Sequence, residues 1–150
     1  MIKDDKYFMR LALKEAKKAL AKGEIPIGAV LVSNETKEVL SRGYNKKEST
    51  HDVSSHAEIE VIRKASKRLN NWRLNGTTLY VTIEPCTMCA SAILQAKIDR
   101  VVFGASEKEM GGFGGKLDLT KSFATDIVVE HGVLEEKCLT LLKENFKNKR

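Results

Sequence analysis

Two short segments of the chain carry residue types that bind metals and move protons. They are His-Ala-Glu at 56–58 and Pro-Cys-Thr-Met-Cys at 85–89. The two cysteines are three residues apart, so on a helix both sulfurs project to the same side. Two thiolates and one imidazole would leave the fourth position of a tetrahedral zinc ion open to water, as in catalytic sites. The sequence therefore predicts a catalytic Zn²⁺ site with three ligands: His56, Cys86 and Cys89.

Glu58 completes the predicted chemistry if both segments begin a helix. In the middle of a helix, residues two apart point in different directions, but at the N-terminus His56 and Glu58 can face one cleft. A carboxylate beside an activated water can remove its proton and pass it on. The first turn of a helix also lowers the pKa of a thiol. We therefore expect a helix over 55–69, capped by Ser54 or Ser55, and a second over 86–96.

The cysteine pair also has interpretations that do not involve catalysis by a metal. A Cys-x-x-Cys alone is more often a redox pair or half of a structural zinc site. The remaining candidate ligands are scattered, so no second pair is available to close a structural site. We expect Cys138 to be a small core residue, and His51 and His131 to lie at the surface. Together, the two segments favour the catalytic interpretation.

The elements that must position these residues alternate along the chain. Apolar periodicity predicts helices over 3–22, 55–69, 86–96 and 134–146, and strands over 27–32, 36–44, 77–83, 100–104 and 126–130. The first two strands form a hairpin turned at 33–35, and we expect loops at 45–54 and 111–115. This order favours an α/β fold with one mixed five-stranded sheet and helices on both faces.

Size and composition agree with a single folded unit. The chain has 150 residues, of which 42% are apolar and 31% charged, which suits one compact globular domain over 1–150. No apolar run approaches the roughly 20 residues that cross a bilayer, and no secretory signal is evident, so we expect a cytoplasmic protein without membrane contact. The odd number of cysteines argues against a disulfide scaffold. The formal charge of +6 permits binding to a polyanion.

H-x-E followed by P-C-x-x-C is typical of the zinc-dependent nucleobase deaminases. Further blocks lie outside the metal site: E-I-P-I-G-A-V at 24–30, N-W-R-L at 71–74 and R-V-V-F-G-A at 100–105. With these, the chain from about Tyr7 to Gly115 resembles the bacterial TadA-type tRNA adenosine deaminases of the cytidine deaminase-like superfamily. The resemblance implies a three-layer α/β/α fold and a single zinc-dependent deaminase domain.

The resemblance also implies a reaction and partners. It is the hydrolytic deamination of adenosine to inosine at the first anticodon (wobble) position of tRNA, by a zinc-activated water, in a homodimer with one Zn²⁺ per chain. Glu58 would shuttle protons, and the tRNA anticodon stem-loop would be the partner. Three positions match the residues that the family uses to bind the base: Asn45, Ile27 and Ala57. Asn45 would also be explained as a turn residue after a strand.

The chain departs from the family after the glycine-rich loop. There the family carries a longer segment with an Asn-His-Arg run that contacts the anticodon loop, whereas residues 123–126 here are Phe-Ala-Thr-Asp. An alternative function therefore stays open: a zinc-dependent deaminase of a free base or nucleoside (cytosine, guanine or adenosine type). A third reading, a non-catalytic RNA- or partner-binding subunit, is disfavoured because Glu58 is present.

Two further features have open interpretations. The C-terminal cations Lys143, Lys147, Lys149 and Arg150, with Phe146, could contact RNA. A solvated helix end explains them equally well. Gly111 to Gly115 do not match a phosphate-binding loop, so a mobile loop near the pocket mouth and a plain connector are the alternatives.

Overall fold

The structure is a computed structural model that describes the backbone of residues 2–148 and the side chains of residues 2–145. Its five strands are β1 (Gly28–Ser33), β2 (Val39–Tyr44), β3 (Thr77–Ile83), β4 (Arg100–Ala105) and β5 (Val128–His131). Its helices are α1 (Asp5–Ala21), α2 (Lys47–Thr50), α3 (Ala57–Leu69), α4 (Thr87–Gln95), α5 (Leu119–Ser122) and α6 (Glu135–Asn148).

The strands form one mixed sheet in the order β2-β1-β3-β4-β5. β1 pairs antiparallel with both β2 and β3, and β3, β4 and β5 run parallel. All seven residues of β3 are buried, as expected of a β-branched and aromatic strand covered on both faces. The predicted five-stranded mixed sheet is therefore confirmed.

Helices cover both faces of this sheet. Because strand side chains alternate, Val30 and Val32 of β1 pack on the face of α1 and α6, where Phe8 of α1 and Leu141 of α6 are also buried. Ala29 and Leu31 pack on the opposite face, with apolar residues of α3 and α4. The three-layer arrangement agrees with the prediction. Among the described residues, no helix is long and apolar enough to cross a membrane.

The structure corrects several local predictions. α2 and α5 are short helices in segments for which no helix was predicted. The second strand begins at Val39 rather than at residue 36, because Lys37 has a φ of 61° in a turn closed by its N–H on the Ser33 carbonyl. Leu69, in the last turn of α3, is 44% exposed. Cys138 is buried, and His51 and His131 are exposed, as predicted.

The predicted serine cap of α3 is wrong. The N-cap is His56 itself, and Ser55 instead donates its N–H to the Asp52 carbonyl in the preceding turn. Of the C-terminal cations, Lys149 and Arg150 lie outside the described residues, as do the side chains of Phe146 and Lys147. The prediction of an RNA contact by this group is therefore not addressed by the structure.

Candidate metal centre and pocket

The N-termini of α3 and α4 meet at one place, and each begins with a predicted metal ligand. His56 is the N-cap of α3 and Cys86 the N-cap of α4, both with extended backbone. An N-cap side chain usually accepts a hydrogen bond from the first turn of its helix. Neither His56 nor Cys86 makes such a bond, so the imidazole and the thiol are available to another partner.

The three predicted ligands converge with the spacing that a tetrahedral zinc ion requires. The Sγ atoms of Cys86 and Cys89 lie 3.6 and 3.5 Å from Nδ1 of His56. Zinc–sulfur and zinc–nitrogen bonds of about 2.3 and 2.0–2.1 Å at a tetrahedral angle give a sulfur-to-nitrogen edge of about 3.6 Å. All three ligand atoms lie within 4.8 Å of one another. The donor types and their separations therefore fit Zn²⁺, with Nδ1 as the imidazole ligand.

The two thiols are hydrogen-bonded to each other and share the proton of that bond. A hydrogen bond from Cys89, with further support from His56, lowers the pKa of Cys86 to about 4. The same hydrogen bond and burial raise the pKa of Cys89. The hydrogen bond with Cys86 raises the pKa of His56. A metal cation would replace the shared proton, because metal binding to thiols releases protons.

Glu58 lies beside these ligands and is only 4% exposed. Burial raises the pKa of its carboxyl group to about 7, and the Cys89 thiol is a hydrogen-bond partner. A carboxyl group of that pKa can both accept and release a proton near neutral pH. Its position two residues into the first turn lets Glu58 reach the same cleft as His56, as the sequence predicted.

The three residues predicted to bind the base lie around the same helix N-terminus. The backbone N–H of Asn45 donates to the Ile27 carbonyl at 3.1 Å, and Ile27 packs against the core cluster that contains Ala57. Directly after Asn45, the Lys46 N–H donates to the Ser55 carbonyl at 2.9 Å. This hydrogen bond places Asn45 near the beginning of α3.

The side chain of Asn45 is buried and oriented by the backbone that follows it. Its Oδ1 accepts the N–H of Lys47 at 3.1 Å. Within the described residues its Nδ2 has no hydrogen-bond partner, and no side-chain nitrogen or oxygen there is both fully buried and unsatisfied. The amide therefore keeps a free, accessible donor. Asn45 therefore stabilises a turn through its Oδ1 and can still bind a ligand through its Nδ2. The two interpretations of Asn45 are compatible.

Sequence reasoning missed two buried carboxylates beside the site. Glu84 follows β3 and accepts three backbone hydrogen bonds from residues 107–115, a segment that we call the glycine loop. Glu24 precedes β1 and accepts two from the first turn of α2. An acidic residue at the end of an apolar strand, directly before Pro-Cys, was the available signal for Glu84. The glycine loop is thus bound to the site and is no plain connector.

The comparison with protein families agrees with this geometry. Residues 2–105 match the model of the cytidine and deoxycytidylate deaminase zinc-binding region. The match spans the three candidate metal ligands, Glu58 and the three residues predicted to bind the base. The chain therefore belongs to this family of zinc-dependent deaminases.

Comparisons with individual proteins indicate which kind of deaminase this chain is similar to. The chain is 45% identical over 148 residues to a tRNA-specific adenosine deaminase of Bacillus subtilis (strain 168), covering 97% of this chain and 91% of that protein. It is 41% identical, with a TM-score of 0.82, to a structure from a study of A-to-I editing by tRNA:A34 deaminases at the wobble position of transfer RNA; the match covers 90% of this chain and 98% of that one. Within the deaminases, the chain thus belongs with the tRNA-specific adenosine deaminases.

A more distant structure shares the fold. A guanine deaminase from Nitrosomonas europaea superposes with a TM-score of 0.83 over 93% of this chain and 83% of that one, at 20% identity. At that identity the likeness concerns the arrangement of helices and strands. It shows that this architecture also holds deaminases of other bases.

Proposed function

We propose that this protein deaminates adenosine to inosine at the wobble position of tRNA. The observation that carries the proposal is a buried carboxyl group beside a His-Cys-Cys donor set in a chain 45% identical to a tRNA-specific adenosine deaminase. The donor set and the carboxyl group support hydrolytic deamination, and the relatives support the substrate.

In this proposal His56, Cys86 and Cys89 would hold one Zn²⁺, which would supply an activated water as the nucleophile. Glu58 removes a proton from that water and delivers it to the substrate, so that ammonia leaves C6 of adenine and an oxygen replaces it. The net reaction consumes one water and releases one ammonia. The raised pKa of Glu58 suits a group that must be charged before the step and neutral after it.

Asn45, Ile27 and Ala57 are proposed to bind the base. The free Nδ2 of Asn45 can donate to an acceptor nitrogen of the purine ring. As the first residue of α3, Ala57 has an N–H without an intrahelical acceptor, which suits a backbone contact with the substrate beside the metal. The half-buried Ile27 would provide an apolar wall for the ring.

A homodimer is proposed through the exposed sides of α3 and α4. Trp72 is 57% exposed and Met88 is 37% exposed, and both line one shallow groove with Ile62 and Ala92. Tryptophan and methionine are enriched in protein interfaces and unusual at a free surface. Replacing Trp72 by Glu should lower the sedimentation coefficient of the protein to that of a monomer; a monomeric parent protein would contradict the dimer.

We also propose that residues 1–150 form one deaminase domain that works in the cytoplasm on the anticodon stem-loop. One sheet, covered on both faces by helices of the same chain, supports the single domain. The three cysteines are free, which suits a reducing compartment. The net charge of +6 suits an RNA partner.

The direct test uses two transcripts of one tRNA that differ only at position 34. Zinc-loaded protein is incubated with the A34 and the G34 transcript, and the digested RNA is analysed for inosine by mass spectrometry. We expect inosine from the A34 transcript alone. Parallel reactions with free adenosine, cytosine, guanine and single-stranded DNA are assayed for ammonia. Absence of inosine together with rapid ammonia release from a free base or nucleoside would contradict the tRNA assignment and favour the alternative.

A further inference from the structure

A buried carboxylate that the proposed chemistry does not use lies directly before the metal-binding segment. Glu84 directly follows β3, two residues before Cys86, and is 4% exposed. Its Oε1 accepts the N–H of Glu107 at 2.9 Å, and its Oε2 accepts those of Phe113 and Gly115 at 3.0 and 2.9 Å. None of the ion pairs among the described residues involves Glu84. Backbone dipoles of the glycine loop therefore balance its charge.

The glycines allow the loop to surround this carboxylate. A Cβ atom added at Gly111 would overlap Oε2 of Glu84, and one added at Gly115 would lie 2.6 Å from Oε1. Real Cβ atoms do not approach a carboxylate that closely. At both positions the added Cβ would also overlap the carbonyl oxygen of Glu107, so Gly111 and Gly115 are required by contact with Glu84 and with the backbone of the loop itself.

The same loop also holds the first turn of α4. The Thr87 N–H donates to the Met110 carbonyl at 3.0 Å, and the Gly112 N–H donates to the Pro85 carbonyl at 2.9 Å. Helix N-termini leave backbone N–H groups without partners, and a cap side chain usually satisfies one of them. Here a loop carbonyl takes that role, which leaves the thiol of Cys86 free for the metal.

We propose that Glu84 is a positioning residue for the metal site. It fixes the glycine loop, the loop fixes the first turn of α4, and this turn sets Cys86 and Cys89 at their distances from His56. The proposal depends on the assignment of these three residues as zinc ligands. Groups one layer outside a metal site that orient the ligands typically change metal affinity by about 10- to 100-fold when they are removed.

Glu24 provides a matched control at a different place in the fold. It is 1% exposed, and its two oxygens accept the N–H groups of Glu48 and Ser49 at 3.0 and 2.7 Å. It is therefore a buried carboxylate that also anchors a backbone segment. That segment is α2, which follows Asn45 and does not contain a cysteine. Replacing each carboxylate by an amide imposes a comparable perturbation at two different places.

The experiment compares Glu84→Gln and Glu84→Ala with Glu24→Gln. Zinc affinity is measured by competition with a chromophoric chelator, the Co²⁺-substituted proteins are examined by absorption spectroscopy, and the melting temperature is recorded for each. We expect the zinc Kd to rise about 10-fold in Glu84→Gln and about 100-fold in Glu84→Ala, with a changed cobalt spectrum. Glu24→Gln should lower the melting temperature yet keep the zinc Kd within about twofold of the parent value.

The opposite pattern would overturn the proposal. It fails if the Glu84 variants melt earlier but keep the parent zinc Kd and cobalt spectrum, because Glu84 would then serve stability alone. It fails equally if Glu24→Gln weakens zinc binding as much as Glu84→Gln does. If Glu84→Ala does not fold, the comparison of Glu84→Gln with Glu24→Gln alone decides the proposal. Since the readout is zinc affinity, the result does not depend on which substrate is deaminated.

Discussion

Two polar clusters lie at different ends of the same parallel strands, and they differ in how their charges are satisfied. At the beginning of β4, Arg100 binds Asp5 through Nη2 at 2.6 Å and Glu130 through Nε at 2.8 Å. The Tyr80 hydroxyl donates to Asp5 at 2.7 Å. In this cluster one guanidinium lies between two carboxylates, so groups of opposite charge are in direct contact.

Among the described residues, no lysine or arginine forms an ion pair with the cluster at the other end of the strands. It follows the carboxyl ends of β3 and β4 and collects two thiols, an imidazole and a buried carboxyl group. Burial raises the pKa of Glu58, and the hydrogen bond with Cys86 together with burial raises that of Cys89, so a bound cation would favour the ionised forms of these groups. Binding sites of α/β proteins lie at this carboxyl edge. The two clusters thus differ in role. The cluster around Arg100, which we call the self-paired cluster, stabilises the fold through its own ion pairs. The thiols and the imidazole of the other cluster are positioned to bind a metal.

The largest effect should come from removing a ligand. Cys89→Ala is expected to reduce bound zinc from one equivalent to nearly none and to lower turnover on the order of 1,000-fold or more, because the nucleophile is no longer activated. Elemental analysis and the inosine assay measure the two effects. If Arg100→Met, in the self-paired cluster, loses zinc to the same extent, the difference in role between the two clusters is contradicted.

Removal of the proton-transfer group should separate metal binding from chemistry. Glu58→Ala and Glu58→Gln are expected to retain zinc while kcat falls by about 10²- to 10⁴-fold, the usual contribution of general acid–base catalysis. Zinc content and single-turnover rates on the A34 transcript provide the measurement. Full activity of either variant would contradict the role assigned to Glu58.

The donor of Asn45 can be tested with two substitutions. Asn45→Ala should lower kcat/KM by about 10- to 100-fold, corresponding to about 1–3 kcal/mol for a lost buried hydrogen bond. Asn45→Asp keeps an oxygen for the Lys47 N–H but lacks the Nδ2 donor, so it should be at least as impaired. An active Asn45→Asp enzyme would show that Asn45 acts as a turn residue alone.

Most of the fold could be predicted because burial on both sheet faces leaves a strong apolar pattern. β3 was predicted at its observed bounds, and the convergence of His56, Cys86 and Cys89 with Glu58 could be predicted from their residue types and spacing. The serine cap of α3 was mispredicted because local cap preference gave way to a histidine needed for the metal. Glu84 and Glu24 could not be assigned, since their partners are backbone N–H groups on segments distant in sequence, about which side-chain types say nothing.

A smaller effect is expected at the self-paired cluster. Arg100→Met should lower the free energy of unfolding by about 1–2 kcal/mol, because the remaining carboxylates are partly exposed and water replaces much of the interaction. Activity should stay close to that of the parent. Chemical denaturation and the inosine assay measure the two quantities, and a large loss of kcat with little loss of stability would contradict the structural role.

The smallest effect concerns pH. Hydrogen bonds from Arg100 lower the pKa of Asp5 below its ordinary value of 3.8, so the folded protein binds this proton less tightly than the unfolded chain does. The resulting stability is present above about pH 4 and is lost as the pH falls through the lowered pKa. The difference in unfolding free energy between the parent and Asp5→Asn should therefore shrink towards pH 2. A difference that stays constant from pH 7 to pH 2 would contradict this assignment.

One imidazole and two thiolates would together hold a single zinc ion, whose fourth ligand would come from solvent. X-ray absorption spectroscopy at the zinc edge on the purified protein tests it most directly. We predict one zinc per chain, two sulfur ligands at about 2.3 Å and two nitrogen or oxygen ligands at about 2.0–2.1 Å. In Cys89→Ser or Cys86→Ser the number of sulfur ligands should fall to one, or zinc should be lost. Absence of stoichiometric zinc, or a first shell of four sulfurs, would contradict the account.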